Sequence, residues 1–106
     1  MDAEELEGIT ALLWQAAEKR QACRITLAGE PLPRIVYPYG IAQTSRNHVV
    51  LVAWQAGGLT RSGATEGYRN LQLDRIIEVE MMERPFDKRS DFNPKDIQYK
   101  DWVFYI

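Results

Sequence analysis

Tyr68-Arg69-Asn70-Leu71-Gln72-Leu73-Asp74-Arg75-Ile76 is the stretch that decides the fold. In an extended backbone successive side chains point to opposite faces, so Leu71 and Leu73 share one face with Arg69 at its open end, and Tyr68, Asn70 and Gln72 take the other. Asp74 and Arg75 interrupt the run. Beyond them Ile77, Val79 and Met81 resume the alternation against Glu78, Glu80 and Met82. A strand, a charged corner and a second strand follow, as the corner of a small barrel requires. For Asp74 beside Arg75 the expected role is a charged pair or turn cap at that corner, not a catalytic acid.

Working outward, Asp2 followed by Glu5 reads as a helix N-cap with its capping-box partner, and Leu6, Ile9, Leu12, Leu13, Ala16 and Ala17 recur on one helical face. The pattern predicts an amphipathic helix over 3–19 with Trp14 at the edge of its apolar stripe. Cys23, Ile25 and Leu27 alternate with Arg24 and Thr26 as a strand that Ala28-Gly29-Glu30-Pro31 turns back. Arg34 to Tyr37 gives the next strand. Pro38 marks an edge or bend because it has no N–H for a ladder, and Gly40 permits close backbone approach or positive φ. Thr44-Ser45-Arg46-Asn47 is a polar turn into Val49–Trp54, a continuous apolar run that suits a central strand covered on both faces, with the first helix as the expected cover.

Residues 55–67, with Gly57, Gly58, Gly63 and Gly67, read as a flexible hairpin loop. They are not a phosphate loop, since they lack a Gly-Lys-Ser/Thr ending and a strand follows. Glu83 to Lys95 mixes charges with two prolines and is expected to be a surface connection. Ile97, Tyr99, Trp102, Phe104 and Ile106 make a tail too apolar to leave unpaired, so it should pack on the domain or on a partner. Five short strands behind a helix, with glycine-marked turns, predict a mainly β fold: a small, strongly bent antiparallel barrel.

The chain has 106 residues, 45% hydrophobic and 26% charged, which fits one soluble globular domain. A formal net charge of −2 argues against non-specific adhesion to phosphate backbones, while leaving room for a local basic patch. The single cysteine, Cys23, cannot form an internal disulfide and is expected to be a small buried hydrophobe. With one histidine, His48, and scattered carboxylates, neither a metal centre nor nucleophilic catalysis is expected, and no cofactor. No apolar run approaches the roughly 20 residues that span a bilayer, and the acidic start is unlike a signal peptide, so no membrane partner and a cytoplasmic location are expected.

Three segments, in order and spacing, resemble the WYL domain family. Arg69, Leu73, Asp74, Arg75 and Ile76 match its Arg-x-Phe-Arg-Leu-Asp-Arg-Ile, with Leu71 and Gln72 departing from it. Arg34-Ile35-Val36-Tyr37-Pro38-Tyr39-Gly40-Ile41 resembles its Arg-x-Val-x-Pro-x-Gly-Leu, and Val49-Val50-Leu51-Val52-Ala53 falls at its Trp-Tyr-Leu-Val-Ala, so Val49-Val50 replace the name-giving pair. The resemblance covers roughly residues 10 to 86. It implies an Sm-like, SH3-type barrel preceded by a helix: here a helix over 3–19, a barrel over about 22–82 and a C-terminal extension over 83–106, in a single WYL-like domain 1–106. It also implies a ligand-sensing or nucleic-acid-binding regulatory module, often attached to a winged-helix DNA-binding domain in a longer chain.

The candidate site is Arg34, Arg69 and Arg75 with Tyr39, His48 and Gln72. Arginine holds phosphate or carboxylate bidentately and an aromatic ring can stack on a base, which suits a nucleotide or short single strand of nucleic acid. The alternative is a protein-interaction or oligomerisation module, a homodimer included, working through the helix or the aromatic tail without a small ligand. Clustering of the three arginines on one concave face would favour the first, and their dispersal the second.

Overall fold

The computed structural model describes residues 2–58 and 66–106, so most of the expected 55–67 loop lies outside the described residues. In chain order come helix α1 (Ala3–Lys19), strands β1 (Gln21–Leu27), β2 (Arg34–Thr44), β3 (Val49–Gly57) and β4 (Gly67–Gln72), a 3-10 turn (Leu73–Arg75), and strands β5 (Ile76–Pro85) and β6 (Tyr99–Tyr105). The strands form one antiparallel sheet in the order β4-β3-β2-β1-β5, and β6 adds to β2.

The mainly β fold behind one helix is as expected, and the sheet is open among the described residues, without the closure of the expected barrel. β4 and β5 are consecutive, yet β5 pairs along β1, from Gln21↔Pro85 to Leu27↔Ile76, and no ladder joins it back to β4. The charged corner is the 3-10 turn. Asp74 neither caps it nor pairs with Arg75; the backbone N–H of Ala28 instead donates to the Arg75 carbonyl at 2.8 Å, and Arg75 Nη2 donates to the Ala28 carbonyl at 3.1 Å. A register shift between Thr26 and Leu27 places Ile76 in the core and leaves Ile77 exposed, so the extra residue of a bulge swaps the face expected for Ile77.

α1 starts where its cap says it should: Asp2 Oδ1 accepts from the Glu5 backbone N–H at 2.8 Å. It ends at Arg20, in left-handed backbone at φ 55°, whose N–H reaches the Ala16 and Ala17 carbonyls. Leu13, Ala16 and Ala17 are buried, and the two alanines let the helix lie close over Ile25, Val36, Ile41, Leu51, Leu71 and Leu73 on the inner face of the sheet. Full burial of one such large apolar side chain contributes about 1.5–3 kcal/mol. Trp14 does pack at the stripe's edge, stacked on Phe104 with ring centroids 4.8 Å apart. Cys23 is in this core, where burial pushes its thiol up to about 12.

β3 is covered on both faces, but the helix supplies only one cover. Leu51 and Ala53 face α1, while Val50 and Val52 join Ala42 in a second cluster against Phe92, Tyr99 and Trp102. That second cover comes from the chain after β5. The segment expected to be a surface connection is a strap: Phe86, 7% exposed, stacks on Tyr37 and Tyr39, and Arg89 lies 3.8 Å over the Trp54 ring. Arg89 is itself held by Asp91, through Nε at 3.0 Å and Nη2 at 3.1 Å, and the Tyr68 hydroxyl donates to the same carboxylate at 2.6 Å. Hydrogen bonds from Arg89 first, then Tyr68, hold the Asp91 carboxyl below its ordinary 3.8; burial, then Asp91, pushes the Tyr68 phenol up.

The apolar tail packs on the domain as the sixth strand. β1 pairs with the first part of β2 (Val36, Ile35, Arg34) and β6 with its second part (Gly40 to Thr44), while β3 runs along the other edge. Gly40 is where β6 crosses: a Cβ there would lie 2.7 Å from the Trp102 ring and 2.9 Å from Tyr105 Cα, so glycine is needed for close approach and not for its φ. Among the described residues no helix is long and apolar enough to cross a membrane.

Candidate functional site at the end of strand β4

The open side of the sheet is where the arginines meet. Strand alternation puts Arg69 on the inner face with Leu71, and the corner swings Arg75 back toward β1. Arg34 opens β2 directly after the β1–β2 turn. With Gln72, these three arginines line one cleft of about 220 Å³, together with Leu27, Asn70 and Leu71.

Their electrostatics differ. Arg34 is 13% exposed and bidentate to Glu30, with Nε to Oε1 at 2.9 Å and Nη2 to Oε2 at 2.8 Å, so its charge is opposed locally. Its Nη1 donates to Gln55 Oε1 at 3.2 Å. Arg69 Nη1 donates to the Tyr68 carbonyl at 2.9 Å, and the guanidinium packs where a Cβ on Gly67 would stand, 2.7 Å from Nη1. Gly67 has φ +142°, which strains any side chain there, whereas Arg69 Nη1 is the far end of a flexible side chain that can move aside. Arg75 has no carboxylate within 4.0 Å among the described residues, and its guanidinium donates to the Ala28 carbonyl. Gln55 is fully buried, and among the described residues its Nε2 has no hydrogen-bond partner, a costly state for a buried amide donor.

A second cleft of about 270 Å³ shares Asn70 and Gln72 with the first and continues to Arg46, His48 and Gln98, with Thr44 and Ser45 on its wall. His48 therefore sits beside the arginine cleft, across Gln72, and is not part of its lining. Together the two clefts make a polar track over the end of β4, with arginine at both ends and amide side chains between.

Tyr39 is the candidate that the structure places elsewhere. It is 0% exposed on the outer face, edge-on to Phe92 at 4.9 Å, and its hydroxyl accepts from the Arg89 backbone N–H at 2.8 Å. Burial raises its phenol above the ordinary 10.0. No base can stack on it while the strap is in place. The residues that sequence reasoning left out of the track are Arg46, Asn70 and Gln98, with Gln55 beside Arg34. Arg46 had a signal, a cation in a polar turn next to His48; Gln98 had none, because only the fold brings it to β4.

A family model described as WYL domain matches residues 8–81. The comparisons with curated proteins and with solved structures gave no match.

Proposed function

Since this chain belongs to the WYL domain family, we propose that it is a regulatory binding module that senses a nucleotide or a short single strand of nucleic acid along the arginine-lined track. The observation that carries this reading is the convergence of Arg34, Arg69 and Arg75 with Gln72 on one cleft. A cleft of about 220 Å³ is the size for a phosphate and part of its sugar, not for a base as well. The bases then lie along the adjoining cleft, against the hydrogen-bonding side chains of Asn70 and Gln72 and the imidazole of His48. Arginine is suited to the phosphate because its planar fork gives paired, charge-assisted hydrogen bonds. In the aromatic tail, which with the helix was the basis of the interaction-module reading, Trp102 and Phe104 pack on the domain, while Ile97, Val103 and Tyr105 are exposed.

The test is fluorescence anisotropy with a labelled single-stranded oligonucleotide at several salt concentrations. Phosphate contacts release counterions, so three contacts predict a log–log salt slope of about −2, and Arg69→Ala should weaken binding and reduce that slope by about 0.7. The substitution should leave the fold intact, since partly exposed charges contribute little to stability. No binding at micromolar protein in low salt would overturn the reading and leave the interaction module in its place.

A further inference from the structure

A third cavity meets the other side of Gln72 and has the opposite character. It measures about 420 Å³ and lies between the first half of α1 and the ends of β2, β3 and β6. Its apolar lining is Leu6, Ile41, Val49, Leu73 and Val103. Ile41 and Leu73 are part of the buried core, but Leu6, Val49 and Val103 are 41%, 43% and 53% exposed. They come from three separate elements and converge on one opening, whereas half-exposed apolar residues on a protein surface are ordinarily scattered. Its volume lies within the roughly 300–1,000 Å³ that small-molecule sites occupy.

The rim sets the charge of the occupant. Among the described residues no lysine or arginine lines the cavity, and its one carboxylate is Asp74, on the 3-10 turn. Among the described residues Asp74 has no basic partner within 4.0 Å, so its charge is uncompensated at the mouth of an apolar space. His48 and Gln72 add hydrogen-bonding groups on the same side. We infer that this cavity is a second small-molecule site, for an aryl-alkyl amine or similarly shaped cation: the apolar body against Leu6, Ile41 and Val103, the ammonium at Asp74. The same reasoning rejects carboxylates and phosphates, which belong at the arginine cleft. The two sites stand on opposite sides of one residue and select opposite charges.

The probes are 2-phenylethylamine and 3-phenylpropionate, matched in ring and chain, titrated into the 15N-labelled protein and followed by amide chemical shifts. The amine should move Leu6, Val49, Leu73, Asp74 and Val103 with millimolar affinity and bind about threefold or more tighter than the carboxylate, as expected for one exposed ion pair. Asp74→Asn should bring the two probes to equal affinity with the apolar contacts kept. Val49→Arg, at an exposed position that tolerates change, should reverse the preference and guards against a folding defect in the first variant. Equal affinity of both probes for the parent protein, shifts confined to Arg34, Arg69 and Arg75, or no shifts at about 20 mM amine would each overturn the site.

Discussion

The two faces of β3 are built by different rules. Toward α1, Leu51 and Ala53 meet a mainly aliphatic layer drawn mostly from the residues the family model covers, with Phe104 of β6 added to it. Away from it, Val50 and Val52 meet Phe92, Tyr99 and Trp102, all beyond residue 81, in a layer held by ring packing and by the Arg89–Asp91–Tyr68 hydrogen bonds. The inner face depends on area removed from water, which is non-directional. The outer face depends on ring geometry and on a charged clasp, both of which are directional. A sheet that would otherwise show one face to solvent here carries two cores, and the second belongs to the extension.

The comparison breaks most visibly if the extension is removed. Deleting residues 97–106 takes away β6, Trp102 and Phe104 together, and losing either large aromatic alone costs about 3–5 kcal/mol. That is a large share of the roughly 5–15 kcal/mol by which a domain is stable, so thermal melts followed by circular dichroism should show loss of the cooperative transition or a much lower midpoint. An unchanged melt would mean that the outer layer is a passenger.

Adjacent residues on opposite faces sharpen the comparison. Leu51→Ala should cost about 2–5 kcal/mol, and Val52→Ala, which removes fewer buried groups, about 2 kcal/mol. On a chain of this size each kcal/mol lowers the midpoint by about 4–8 °C. A silent Val52→Ala beside a damaging Leu51→Ala would show that the outer layer is not a core.

The clasp gives the smallest effect and a pH signature. Because the Asp91 carboxyl is held below its ordinary 3.8, the stability it contributes is complete above about pH 4 and is lost as pH falls through the lowered value. Urea midpoints of the parent and of Asp91→Asn should therefore differ at pH 7 and 5 and converge toward pH 2. A difference that stays constant with pH would sink the clasp.

What the sequence disclosed follows the same division. Helix α1, β3, the alternation of β4 and the place of the corner were legible because each is written in local pattern: a cap, a period, a charged break. The arginine cleft was half legible, since alternation fixes which side Arg69 takes but not that Arg34 and Arg75 come to meet it. The outer layer was hidden. Phe86 and Phe92 stand among charges without a period, and a bulge between Trp102 and Phe104 breaks the alternation of β6. The bulge at Pro38–Gly40 and the strap together turned Tyr39 from a candidate contact into a core residue, and whether β4 and β5 zip is a long-range fact that no local pattern carries.

The division of one edge of β2 between β1 and β6 has a kinetic meaning. β1 reaches β2 across the short connection 28–33, while β6 must return from the far end of the chain to reach Gly40–Thr44. Closing the longer loop costs more entropy before any contact rewards it, so non-local pairing is the slow event. During refolding the helix, β1 and the first part of β2 can assemble while Gly40–Thr44 still presents unpaired backbone. In that interval the same edge is open to the matching strand of another copy, and the race between β6 and a neighbouring chain decides between the native sheet and aggregation.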